Sequence, residues 1–150
     1  MKQVLRYLLI VSPYLYMGFI WVLSSLPHDA IVRVSDDEFD KLFKESLHLI
    51  EFGILYILAV VSLLMVDRLT PTTNRWAAIV AALYGVVDEL HQATVPYRSF
   101  QVIDIVKDFI GVFVLFLFVK NTIFKHPPRQ PGKLLLSLQL FLLKKKSRLR

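Results

Sequence analysis

Residues 85 to 113 read GVVDELHQATVPYRSFQVIDIVKDFIGVF. The stretch continues into apolar runs on both sides, yet it holds Asp88, Glu89, His91, Arg98, Asp104, Lys107 and Asp108. At 100° per residue, Gly85, Asp88, Glu89 and Gln92 form one helical stripe, and Leu83, Val87 and Leu90 lie opposite. A second helix after Pro96 carries Asp104, Asp108, Gly111 and Leu115 on one stripe. Two greasy helices with ionisable stripes fit a membrane bundle whose polar faces turn inward.

The rest of the chain agrees. Its 150 residues argue for one folded domain, and its 55% hydrophobic content comes in long blocks. A crossing needs about 20 mostly apolar residues. Four stretches meet that length: Val4 to Leu26, Leu47 to Val66, Trp76 to Val95 and Val102 to Phe124. Pro13 is expected to kink the first. Lys2 and Arg6 precede it as in a signal peptide, but its apolar run is longer than a signal core and no A-x-A-like site follows, so retention is expected.

Ser35-Asp36-Asp37-Glu38 has the form of a capping box, and Phe39, Leu42, Phe43 and Leu47 recur at helical spacing. An amphipathic helix is therefore expected from about Asp36 into the second span. The fold class that results is all-α: an integral membrane four-helix bundle with an interfacial amphipathic helix before the second span. Residues 1–125 form the four-span domain. Residues 126–150 form a basic tail with the short apolar segment LLLSLQLFLL, 134–143, read as interfacial.

The net charge of +6 is unevenly placed, with eight of eighteen Lys and Arg between Lys125 and Arg150. A basic tail after a hydrophobic block points to an anionic membrane surface. Nucleic acid is excluded as the reading, because the tail is half apolar and no nucleic-acid fold accompanies it. With both termini in the cytoplasm, the inside segments hold Lys2, Arg6, Arg68, Arg75, Lys120 and the tail. The outside then holds only Arg33, Lys41, Lys44 and Arg98, as the positive-inside rule requires.

That orientation sets depth. His48 and Glu51 of the second span, Asp88, Glu89 and Gln92 of the third, and Asp104 and Asp108 of the fourth all lie in the outer half. Lys41, Glu45, His48, Glu51 and Leu55 share a stripe on the second helix. An acid at a helix centre costs about 2.5–3.5 kcal/mol on the insertion scale, so these groups must face one another or an aqueous cavity. Gly85 and Gly111 on the stripes permit close backbone approach. The competing reading is that the polar groups only zip the helices, with Asp104–Lys107 and His48–Glu51 as ion pairs. Lys107 and His91 sit at stripe edges, where that reading is strongest.

Four motifs carry a resemblance. W-x-x-S-S-x-P appears as Trp21, Ser24, Ser25 and Pro27; K-x-x-x-H-x-x-E-[FY] as Lys44, His48, Glu51 and Phe52. D-E-x-x-Q appears as Asp88, Glu89 and Gln92; R-S and then D-x-x-x-x-x-x-G as Arg98, Ser99, Asp104 and Gly111. In this order the set resembles the VanZ-like family of bacterial membrane proteins, over about residues 15 to 120. One position departs: Asp108 stands where the family usually has Asn. The resemblance implies a cell-envelope role in the bacterial cytoplasmic membrane, and the family is named for a protein giving low-level resistance to the glycopeptide teicoplanin.

Three functions are weighed. In the first, the crevice binds or processes an amphiphilic envelope molecule, a lipid or lipid-linked cell-wall precursor. Asp88, Glu89 and His48 are then the catalytic candidates. One acid is expected neutral and one ionised, with His48 exchanging protons near neutral pH. Arg98 clamps a phosphate or carboxylate. Gln92, Ser99, Glu51, Asp104 and Asp108 complete the binding set. In the second, the protein is a non-catalytic binding or scaffold module, with a membrane-protein partner, that alters antibiotic access. The third, proton movement, fits poorly because Phe109 to Val119 is apolar all round apart from Gly111. No resident cofactor and no metal ligand set is assigned. The hard oxygen ligands of the acids suit a divalent cation such as Mg²⁺ better than structural zinc.

Overall fold

The computed structural model describes residues 2–26, 37–96, 98–125 and 130–143. Side chains are described over the same residues except 37–48, 130–131, 138–139 and 143. Five helices and no strands occur among these residues: α1 (Lys2–Ser24), α2 (Asp37–Met65), α3 (Pro71–Gln92), α4 (Val102–Ile123) and α5 (Gln130–Leu143). α1 to α4 are long; α2 touches every other helix and α3 touches α1 and α4, while α1 and α4 do not meet among the described residues.

α1 runs through Pro13 without a break. Pro13 has no N–H to offer the carbonyl of Leu9 four residues back, and its ring strains that turn. The Ser12 hydroxyl donates to Leu9 O instead, at 2.9 Å. One residue on, Ser62 Oγ of α2 donates to Ile10 O at 2.8 Å. Hydroxyls thus fill the gap left by the proline and tie α1 to α2 at the same place.

α2 is one helix of 29 residues, so the expected amphipathic segment and second span are continuous. The proposed cap at Ser35 and Asp36 lies outside the described residues. At its carboxyl end Arg68 N donates to Leu63 O (2.9 Å) and Asp67 N to Leu64 O (3.2 Å). This is a Schellman closure, with Asp67 at φ 58° taking the left-handed position that glycine usually fills.

α3 begins five residues before the apolar run that marked it in the sequence. Thr70 Oγ1 accepts from Thr73 N, Thr73 Oγ1 accepts from Thr70 N, and Pro71 opens the helix. The start signal is T-P-T-T, a cap with proline at the first helical position. The extra turn brings Asn74, fully buried, to accept from Tyr56 Oη at 2.7 Å.

The core is formed by Phe52, Tyr56 and Val60 of α2 with Ile20, Ala81, Ala82, Val112 and Val119. α2 and α4 approach closely where Gly111 lies against the Leu49 carbonyl. A Cβ at Gly111 would collide with that carbonyl. Gly53 meets Leu115 on the same seam.

α5 lies at the end of the bundle opposite the acids, hereafter the basal end. Gly132 lies against Thr122 O of α4, and Leu142 is buried with Leu64 and Met65 of α2. Lys2 Nζ sits 3.6 Å from the centre of the Phe141 ring, and Arg6 Nε donates to Met65 O at 3.0 Å. The helix therefore bridges the carboxyl ends of α4 and α2 and the start of α1. It leaves Leu134, Phe141 and Leu140 outward.

Among the described residues α1 alone passes as a membrane span by length and composition; α2 has a shorter apolar stretch, Leu49–Met65. α3 and α4 carry Arg75, Asp88 and Glu89, and Asp104, Lys107, Asp108 and Lys120, charges that interrupt their apolar runs. Their outward faces are nonetheless apolar: Trp76, Leu83, Val87, Leu90, Phe109 and Phe113 are all exposed.

Candidate functional site

The acids gather at the end of the bundle formed by the carboxyl ends of α1 and α3 and the amino end of α4. Asp88, Glu89, Gln92, Asp104 and Asp108 are all buried, and Asp88, Glu89 and Asp108 keep only 1% of their surface. The stripes read from the sequence therefore face inward, and Leu83, Val87 and Leu90 face out.

Asp88 is held from two helices. Its Oδ2 accepts from Gln92 Nε2 at 2.6 Å, one turn along α3. Its Oδ1 lies 2.5 Å from Ser24 Oγ of α1. Ser24 Oγ also lies 2.9 Å from Ile20 O. A hydroxyl has one proton. Either it goes to an ionised Asp88, or it goes to Ile20 O while a protonated Asp88 donates to Ser24. The contact therefore accommodates both protonation states of Asp88 without moving a heavy atom.

Glu89 points toward the next helix. Its Oε2 accepts from the backbone N–H of Gln101 at 3.0 Å. Gln101 is the cap residue of α4 and offers no side-chain cap of its own. A carboxylate from α3 thus caps α4, where the helix dipole favours negative charge. Asp104, in the first turn of α4, pairs with Lys107 Nζ at 2.9 Å. That is the local pair expected from their spacing.

Asp108 packs on α3: its Oδ2 lies 3.0 Å from where a Cβ of Gly85 would stand. It lies within electrostatic range of Glu51, Asp88, Glu89 and Asp104. Glu51, half-buried on α2, is in range of Asp88 and Arg98. Five carboxyl groups therefore share one region with two cations, Arg98 and Lys107, among the described side chains. No group of three or more His, Asp or Glu among the described residues has a metal-holding arrangement.

Arg98 reaches across to α1. Its Nε donates to Leu26 O at 3.1 Å and its Nη2 lies 3.5 Å from Leu23 O. Its Nε thereby satisfies the Leu26 carbonyl just past the end of α1, whereas Leu23 O already accepts from Leu26 N at 3.1 Å. Ser99 is exposed on the connection between α3 and α4. The side chains of His48 and Lys44 lie outside the described residues.

A rim adjoins this centre. The His91 ring stacks on Trp21, centroids 3.8 Å apart and planes 17° off parallel. His91 Nε2 is 2.9 Å from Ser25 Oγ, and Ser25 Oγ donates to Trp21 O at 2.7 Å. Where that proton goes to Trp21 O, His91 donates through Nε2–H; where it goes to Nε2, His91 accepts. Ser24, Ser25 and Trp21 carry no role in the sequence reading beyond the resemblance. The available signal was two adjacent hydroxyls ending an apolar span, at the depth where the acids lie.

The arrangement is that of a helical protein with a buried, acid-rich polar centre at one end. The model of the VanZ/LLP1 family matches residues 7–125, and the chain belongs to that family. The matched region takes in α1 from Tyr7 onward, α2 to α4 and every residue of the polar centre. Neither the curated proteins nor the solved structures provide a match. Family membership together with the apolar α1 marks a membrane protein.

Proposed function

We propose that α1 to α4 form a four-span bundle in the bacterial cytoplasmic membrane, with both termini in the cytoplasm and the polar centre open to the exterior. There it binds the headgroup of an amphiphilic envelope molecule, a lipid or a lipid-linked cell-wall precursor, and contributes to glycopeptide resistance of the teicoplanin type. The observation that carries this reading is Asp88: fully buried, bonded to Gln92, and joined to Ser24 by a contact that accepts a proton on either side. Such a carboxyl can take or return a proton in place, which is what general acid–base chemistry on a bound headgroup requires. Glu51, half-buried, supplies further polar surface with Asp108 buried behind it, and Arg98 supplies a cation for the headgroup's phosphate or carboxylate. His48 remains the candidate for proton exchange near neutral pH. A divalent cation among the acids is compatible with their oxygen chemistry.

The second reading is a non-catalytic module. The structural employment of Glu89 and Arg98, one capping α4 and the other closing α1, favours it. Orientation is tested first. The chain has no cysteine, so Phe100→Cys and Ser137→Cys each give a single label site. A membrane-impermeant maleimide on intact cells is expected to label Cys at 100 and not at 137. The reverse pattern removes outer-leaflet lipids and cell-wall precursors as ligands.

A further inference from the structure

A groove of about 380 Å³ runs between α3 and α4, nearer the basal end than the acids. Ala82 and Val112, both buried, form its floor, and Phe109 and Phe113, both exposed, stand beside it. Ala78 lengthens it along α3, and Arg75 closes one end. Arg75 is its only charged lining residue, and it is exposed. From Arg75 to Leu83 the helix rises about 12 Å. The groove is thus a long apolar slot with a single guanidinium at its mouth. Among the described residues no carboxylate pairs with that guanidinium. Trp76 beside it is 61% exposed, as befits a side chain at the membrane–water boundary.

An alkyl chain matches the slot, and a phosphate matches the end. A guanidinium takes two phosphate oxygens in parallel hydrogen bonds. A headgroup carrying net negative charge gains from Arg75, whereas a zwitterionic one offers its own cation in competition. We propose that the α3–α4 groove is a binding site for an anionic phospholipid, with one acyl chain along Ala78, Ala82 and Phe113 and the headgroup phosphate on Arg75. The site is separate from the polar centre and requires only that the chain sit in a membrane.

The test uses the full chain in phosphatidylcholine vesicles, with Trp21→Phe leaving Trp76 as the only tryptophan. Brominated phosphatidylglycerol or brominated phosphatidylcholine of the same chains is added at equal low mole fraction, and quenching of Trp76 is read. The expected result is about a fivefold preference for the anionic lipid, the effect of one cation beside an anionic headgroup. Arg75→Gln, at an exposed position, is expected to bring that ratio to one. Ala78→Phe, which fills the slot and keeps the cation, is expected to lower it as well. Excess soluble glycerol phosphate is expected to leave the quenching unchanged. Equal quenching by the two lipids, a preference that survives either substitution, or displacement by glycerol phosphate overturns the proposal.

Discussion

Ser24 Oγ and Asp88 Oδ1 lie 2.5 Å apart, although 64 residues separate them in the chain. The contact joins the end of α1 to the end of α3, and it distinguishes binding from chemistry. In Asp88→Asn the new amide can donate to Ser24, whose own proton goes to Ile20 O, while its carbonyl still accepts from Gln92. The fold is expected to survive, with stability changed by less than about 1 kcal/mol. Acid–base capacity is gone. If the protein is catalytic, Asp88→Asn removes its contribution to glycopeptide tolerance while the thermal unfolding profile in detergent stays put. A variant that keeps full tolerance assigns the protein to the binding-module class.

Ser24→Ala works in the opposite sense. It leaves Asp88 Oδ1, buried, without its α1 partner, at a cost of about 1–3 kcal/mol. A lowered melting temperature for Ser24→Ala beside an unchanged one for Asp88→Asn is the expected pair. Equal melting temperatures for the two would mean that the Ser24–Asp88 contact contributes nothing to helix association.

The glycines predict a sharp contrast. A methyl at Gly111 runs into the Leu49 carbonyl, which α2 cannot withdraw without shifting as a helix. Gly111→Ala is expected to destabilise by about 1–3 kcal/mol or more, as overpacking does. Gly18 has nothing within 4 Å of its Cβ position. Gly18→Ala is expected to be neutral or to stabilise by up to about 1 kcal/mol through helix propensity. Thermal melts followed by size-exclusion chromatography report both, and a mild Gly111→Ala would mean that α2 and α4 are not locked at this seam.

The inward direction of the acids was legible because period 3.6 fixes which residues share a face, and Gly85 marks the polar stripe. The carboxyl ends of α1, α2 and α4 fall within two residues of where the apolar run lengths put them, whereas α3 stops at Gln92, short of the Val95 that Pro96 suggested. The start of α3 was placed at Trp76 because hydropathy ignores Thr70, Pro71 and Asn74, whose reward is a cap and a buried Tyr56 bond. Pairings across helices were not legible. Nothing local tells that Glu89 caps α4, or that Arg98 returns to carbonyls of α1 more than 70 residues earlier. Those contacts follow from how the helix ends meet.

Arg98 offers the most informative single change, because two roles compete for one guanidinium. Its Nε and Nη2 face Leu26 O and Leu23 O, yet it remains within electrostatic range of Glu51 and Glu89. Arg98→Lys keeps the charge and loses the planar fork. Loss of the carbonyl contacts is expected to lower stability by about 1 kcal/mol. Loss of two-point anion recognition is expected to lower tolerance further than that instability explains. The separation is made with Arg98→Lys and Leu83→Ser measured side by side. Leu83→Ser, on the apolar outer face, lowers stability without touching the polar centre. When the two variants have matched melting temperatures and expression, Arg98→Lys is expected to be the less active. Equal activity at equal stability would reduce Arg98 to a clasp on α1, and the anion-clamp role would be wrong.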